Sequence, residues 1–226
     1  MHTVRGSGDS NLTPEQLTEE ALRIGLDGVC LTEHSGGWEL DDLSRAFAEP
    51  AITVIRGLEV QTDMGHVLVF GLSSHIDGTN SIRTLRKVVD RAGGVMVSAH
   101  PFRYLFDGGP TKVNLLFDDP GSYPRTPQEA AGHPLFGLVD AVEVANGSNS
   151  DRENLFTLEV ARHLGMGGTG GSDAHSAQGL GRCVTIFDGD IRSEADLIEA
   201  LRARAFSPGH GLNVGQLRAF GPDAGT

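Results

Sequence analysis

The chain has no long hydrophobic run. No apolar stretch approaches the roughly 20 residues that a membrane-spanning helix requires, and Met1-His2-Thr3-Val4-Arg5-Gly6 carries no apolar signal core. The resulting expectation is a cytoplasmic protein with no membrane partner. Cysteine is nearly absent. Cys30 and Cys183 are the only two, each inside an apolar stretch, so neither a disulfide framework nor a CxxC thiolate zinc site is expected. Positive charge is also in deficit. Eighteen Lys and Arg against 30 Asp and Glu leave a net charge of -12. That balance disfavours nucleic acid as a partner, because such affinity comes from cations neutralising phosphates. It leaves nucleic acid and nucleotide-type substrates open, since carboxylates that bind divalent ions are partly neutralised by them.

What the chain does have is histidine, nine against two tyrosines and one tryptophan. Its 226 residues, 38% hydrophobic and 21% charged, suit one globular domain with a proper core. Thr13-Pro14-Glu15-Gln16 announces a helix, with Thr13 as N-cap and Gln16 at the capping-box position, ending at Gly25. Further helices are expected over 40–47, 81–92 and 151–164, and from Ser193. Short apolar runs at 28–32, 53–60, 66–71, 95–99, 141–144, 167–171 and 184–187 read as strands. Buried strands alternating with amphipathic helices indicate an α/β domain with a largely parallel sheet. Residues 103–134, rich in Gly, Pro and Asp, break the rhythm and read as a long irregular loop or lid, and a loose tail is expected from Gly221.

Groups able to bind metal recur where strands end: Glu33-His34, Glu59, His100, and Asp173 with His175. His66 instead opens a strand, and a turn at Asp63-Met64-Gly65 would return it to the same rim. In parallel α/β sheets, sites lie at the carboxyl ends of the strands, so these residues are expected to converge. Imidazole and carboxylate together suit zinc, manganese or iron, and a bridging carboxylate can join two ions. No nucleophile elbow and no GxGxxG opening a helix is present. His75, His133, His163 and His210 read as surface or helix-face residues.

In order along the chain, the segments His2-Thr3-Val4 with Gly8-Asp9-Ser10 and Thr13-Pro14-Glu15, Thr32-Glu33-His34, Gly57-Leu58-Glu59-Val60 with Gly65-His66, Ala99-His100-Pro101, Val142 to Gly147, and Gly171-Ser172-Asp173-Ala174-His175-Ser176 resemble the motifs of the PHP (polymerase and histidinol phosphatase) superfamily of metal-dependent phosphoesterases. The resemblance implies a single PHP-like domain over 1–226, built as a distorted (β/α)7 TIM-like barrel with its metal centre at the carboxyl ends of the strands. It implies two or three divalent ions held by His2, Asp9, His34, Glu59, His66, His100, Asp173 and His175. Glu59 is the expected bridge, and His34, Glu59, His100 and Asp173 are expected to carry catalysis. Arg103, just after His100-Pro101, is a candidate phosphate contact because guanidinium matches phosphate geometry.

The implied activity is hydrolysis of a phosphate mono- or diester by metal-activated water, on a phosphorylated small molecule or nucleotide-type substrate. Two other readings stand beside it: a degenerate domain that binds metal or ligand without turnover, and a metal-dependent amidohydrolase. Val4 motivates the first of these. It stands where the family's opening motif has a second histidine, so an ion there is expected to lack a ligand, and Arg5 would disfavour a cation if turned inward.

Overall fold

The computed structural model describes residues 1–47, 52–109, 111–117 and 119–221. Helix α1 (Pro14–Ile24) starts as its sequence dictates. Thr13 Oγ1 accepts from the Gln16 N–H at 3.3 Å, Gln16 Oε1 accepts from the Thr13 N–H at 3.1 Å, and Gly25 closes the helix at φ 78°. It is followed by β1 (Gly28–Glu33), α2 (Leu40–Ala46), β2 (Thr53–Thr62), β3 (Gly65–Phe70), α3 (Ile82–Ala92) and β4 (Val95–Ser98). The second half contains α4 (Pro127–Ala131), β5 (Ala141–Asn146), α5 (Asp151–Leu164), β6 (Gly167–Gly171), β7 (Cys183–Phe187), α6 (Glu194–Ala203), β8 (Phe206–His210) and β9 (Arg218–Ala219).

Strands β1 to β6 form one sheet in sequence order, and β7 to β9 form a second, antiparallel sheet. Within the larger sheet β3 alone runs against its neighbours; the β1–β2, β4–β5 and β5–β6 pairs are parallel. The expectation of a largely parallel sheet therefore holds for the larger sheet with one exception. The fold is mixed α/β with a sheet curled as a half-barrel, and no seventh strand joins that sheet among the described residues.

Alternation along the strands sorts side chains between two layers. On β2, Leu58 and Val60 join an outer core with Val67, Val69, Met96, Val142 and Val144 under α3 and α5. Ile55, Phe70, Val95, Val97 and Ala141 face the concave side, where Leu197 and Leu201 of α6 pack against them. Gly57 lies on the concave face too; a Cβ there would meet the Phe70 ring at 2.8 Å, so only glycine leaves room for it. The concave side is apolar at its base and polar at the rim, where Glu59 and His100 line a cavity of ≈ 160 Å³.

The first residues bridge the two edges of the curl. The Met1 carbonyl accepts from the Thr32 N–H of β1 at 2.9 Å, while the His2 N–H donates to the Ala174 carbonyl beyond β6 at 3.0 Å. The expected irregular segment 103–134 is partly ordered. It contains α4 and a 3-10 turn at Pro120–Ser122, and buries Leu105, Leu116 and Ala130 in the outer core. Asn114, 1% exposed, ties it down, donating to the Pro101 and Arg103 carbonyls at 2.9 and 2.8 Å. Composition hid this, because burial in the segment is carried by isolated apolar residues without periodicity. Of the expected tail, Gly221 is described and residues 222–226 lie outside the described residues.

Candidate metal centre

The histidines and acids that the sequence scatters over the chain meet at the rim. Three groups place their donor atoms within 4.8 Å of one another: His2, His34 and His175; Glu59, His66 and His100; and His2, Glu59 and Asp173. Glu59 joins them. Its Oε1 lies 2.6 Å from His66 Nδ1 and 3.2 Å from His100 Nε2, and its Oε2 lies 3.2 Å from His2 Nε2. The His2 ring stacks between His34 and His175, with centroids 4.3 and 4.4 Å away. Asp9 sits further out, with Oδ2 at 3.2 Å from His175 Nε2 and 3.9 Å from His34 Nε2, and its side chain is 61% exposed.

Local backbone explains each placement. His34 follows directly on β1, and Glu59 lies on the concave face of β2. His66 reaches the same rim because β3 is antiparallel to β2: Thr62 pairs with Gly65 across the two-residue turn Asp63-Met64, with Gly65 at φ 85°. The turn expected at 63–65 is therefore present. His100 and Asp173 both hold positive φ, 30° and 48°. Such a conformation costs a non-glycine residue about 1–3 kcal/mol and persists only where its surroundings fix it. For His100 the fixing partner is Glu143, which accepts the His100 N–H at 2.9 Å.

Arg103 lies against the cluster. It is ion-paired with Asp173, while Nε and Nη2 donate to Asn149 and Asn146 Oδ1, each at 2.9 Å. Asn146 in turn donates to Glu143 Oε2 at 2.8 Å. Glu143, Asn146 and Asn149 thus adjoin the cluster; residue-by-residue reading gives Glu143 and Asn149 no role, and Asn146 only that of shaping the pocket or turning the chain. Their signal was the stretch from Glu143 to Asn146 at the end of β5.

Two residues near the N-terminus turn away from the cluster. The chain turns at 4–6 and carries the Val4 side chain outward, 49% exposed. Arg5 also points away, pairing with Asp42 and lying 4.6 Å over the Trp38 ring. Glu33, fully buried, faces the opening loop: it accepts from the Thr3 N–H at 3.0 Å, Ser7 Oγ at 2.7 Å, Trp38 Nε1 at 3.0 Å and the Thr3 hydroxyl. It holds the loop that carries His2. His75, His133, His163 and His210 join none of the three donor groups.

Charge states follow from these contacts. Burial opposes ionisation of Glu59, but hydrogen bonds from His100, His2 and His66 outweigh it and hold the carboxyl well below its usual range. Asp173 is likewise lowered: burial opposes, and the His2 hydrogen bond and the Arg103 charge prevail. His2 is raised despite burial, through Asp173 and Glu59, whereas burial lowers His34. Glu143 is raised by burial.

Fold and site together define an α/β half-barrel with a mixed histidine–carboxylate donor cluster at its polar rim. The sequence model of the PHP domain matches residues 1–119, and that of a PHP-associated segment matches residues 151–206. The chain belongs to the PHP family. An uncharacterized protein of Methanocaldococcus jannaschii, MJ1587, is 28% identical over 98 residues, which are 42% of this chain and 55% of that protein. The match thus spans about half the length of that relative. Among solved structures, PsfC from Pseudomonas syringae is similar at TM-score 0.59 and 20% identity, over 86% of this chain and 81% of that one. A Bifidobacterium adolescentis protein provisionally assigned as a metal-dependent phosphoesterase is similar at TM-score 0.58 and 19% identity, over 90% and 94%. An amidohydrolase from Chromobacterium violaceum, solved with sulfate and no metal, reaches 0.50 and 19%, over 77% and 85%. At these identities the structural likenesses concern the fold.

Proposed function

We propose that this chain is a metal-dependent phosphoesterase acting on a phosphate mono- or diester of a small or nucleotide-type molecule. The observation that carries the reading is Glu59, with one oxygen toward His66 and His100 and the other toward His2. A carboxylate so shared is the expected bridge between two ions. The donor chemistry fits zinc, manganese or iron, because the three groups offer imidazole nitrogens and carboxylate oxygens and include no cysteine among the described residues. His2, His34 and His175 would hold one ion, Glu59, His66 and His100 another, and Asp173 stands beside His2 and Glu59 for either or for a third. Divalent ions there supply Lewis acidity toward a phosphoryl oxygen and acidify water.

The chain's own residues do the rest. Glu59 and Asp173 stay ionised against burial and offset the charge of bound ions. Glu143 fixes the backbone of His100, and Asn146 and Asn149 fix the plane of the Arg103 guanidinium. That cation is the group that orients an anionic phosphate and favours phosphate over amide substrates. In this reading the half-barrel and the opening residues together make the distorted (β/α)7 arrangement of the family, and the centre lies at its carboxyl rim.

The test is activity against a mono- and a diester of p-nitrophenol, and an amide panel, before and after chelation. Phosphate hydrolysis lost on chelation, restored by manganese or zinc, and abolished in Asp173→Ala supports the proposal. Amide hydrolysis alone points to the amidohydrolase reading, and full metal loading with no turnover points to a binding domain.

A further inference from the structure

A second cavity of ≈ 290 Å³ opens beside the donor cluster, sharing His66 and His100 with it and lined further by Arg103 and by the exposed residues 111–113. Besides the histidines and Arg103, its lining combines apolar side chains (Met64, Val113, Leu115 and Leu116) with the hydroxyl-bearing Ser98, Tyr104 and Thr111 and one further cation, Lys112. That cation is unusual here. Lys87 and Lys112 are the chain's only lysines, and the net charge is -12. Lys112 makes no ion pair among the described residues; its Nζ lies 5.4 Å from the centroid of the Tyr104 ring.

Its position is built. Lys112 and Gly109 exchange backbone hydrogen bonds at 3.0 and 3.2 Å, and two residues later Asn114 anchors the returning chain through Pro101 and Arg103. The hydroxyl of Ser98, which also lines the cavity, is buried and has no hydrogen-bond partner among the described residues. A buried hydroxyl left so is a place where a ligand oxygen or a water is accommodated.

We propose that this cavity receives the leaving group of the substrate, and that Lys112 recognises a second anionic group on it, a carboxylate or a second phosphate. The inference rests on the phosphoesterase reading. A phosphoryl group held between the donor cluster and Arg103 would direct its ester oxygen into this cavity. The apolar side chains of the lining then meet a compact carbon skeleton, and the ammonium meets a charge at its far end. The substrate class that follows is a small phosphorylated acid or a bisphosphate, not a neutral sugar or alcohol phosphate.

The experiment compares glycerol 3-phosphate, 3-phosphoglycerate and propane-1,3-diol bisphosphate in the metal-loaded wild type and in Lys112→Gln. The loss expected in the variant is about three- to fivefold in kcat/KM, carried by KM, on the two substrates with a second charge, since an exposed ion pair contributes up to about 1 kcal/mol. Glycerol 3-phosphate is unaffected, and the difference shrinks at about 0.5 M salt. The two charged substrates separate carboxylate from second phosphate.

A readout without turnover uses the scarcity of lysine. Acylation with acetic anhydride should be slowed at Lys112, and not at Lys87, by 3-phosphoglycerate or the bisphosphate but not by glycerol 3-phosphate. Equal losses on all three substrates, no loss on any, or labelling of Lys112 indifferent to these ligands would overturn the proposal. Protection of Lys112 with no ester turned over would remove the phosphoesterase reading and leave the anion pocket in place.

Discussion

Glu33 and Glu59 are both buried glutamates at the rim, 0% and 3% exposed, and their partners give them opposite work. Glu59 faces three imidazoles; Glu33 faces the backbone, hydroxyl and indole donors of Thr3, Ser7 and Trp38. Replacing Glu33 by Ala strands the Thr3 N–H and the Trp38 N–H and leaves the Ser7 hydroxyl only its contacts to His2 Nδ1 and the His34 N–H, and should cost about 2–4 kcal/mol in urea denaturation. Metal loading should fall with it, because the loop carrying His2 is released. A loss under about 0.5 kcal/mol would mean the contacts are incidental. The cysteines belong to the same scale. Burial pushes Cys30 up to about 11 and Cys183 to about 12. At pH 8 neither should react with a disulfide reagent in the native protein, and both should in denaturant; rapid native labelling would contradict their inward placement.

At the level of elements, the base of the half-barrel depends on α6. Leu197 and Leu201, each 3% exposed, pack onto Val95, Val97 and Ala141. Leu201→Ala should lower stability by about 2–5 kcal/mol in a denaturant titration, while the donor cluster at the opposite end keeps its metal. Metal loss matching the stability loss would show that rim and base are coupled.

Most elements were legible in the sequence because each carried a local signal. Asp151–Leu164 and Gly167–Gly171 have the expected bounds, and β2 and β5 run only two residues further than expected: β2 because polar Gln61-Thr62 pair without being buried, β5 because Ala145 and Asn146 continue it in full burial. His34, Glu59, His100, Asp173 and His175 were legible too, because histidine and acid at strand ends are chemically conspicuous; His2 and Asp9 came only with the family resemblance, and Glu33, equally conspicuous, joins no donor group. That Val4 points outward was not legible, because a motif match does not say that the chain turns at 4–6. Glu143 escaped, and Asn146 stayed open between pocket and turn, because their contacts are to His100 and Arg103, distant in sequence, which no local pattern encodes.

Taken whole, the molecule confines like charges and imidazoles at one rim, so its stability must depend on pH and on metal. Asp173 and Glu59 are held below the ordinary values of 3.8 and 4.5. Their contribution is present above that range and is lost as pH falls through the folded values. His2 is raised above 6.5, so its contribution is present below that pH and fades as pH rises through the folded value. Metal-free protein should therefore lose stability toward both acid and alkali. Metal requires unprotonated imidazoles, so the gain in Tm on adding manganese or zinc should grow from about pH 5.5 to pH 8. A gain independent of pH across that range would argue against histidine ligation.

The central claim is that Glu59 joins two ion sites, and metal content after equilibrium dialysis tests it most directly. Wild type should retain two or three divalent ions per chain, and Glu59→Gln, which keeps shape and removes charge, should retain at most one while remaining folded by circular dichroism. Equal occupancy in the two proteins, or no retained ion in the wild type, would contradict the account.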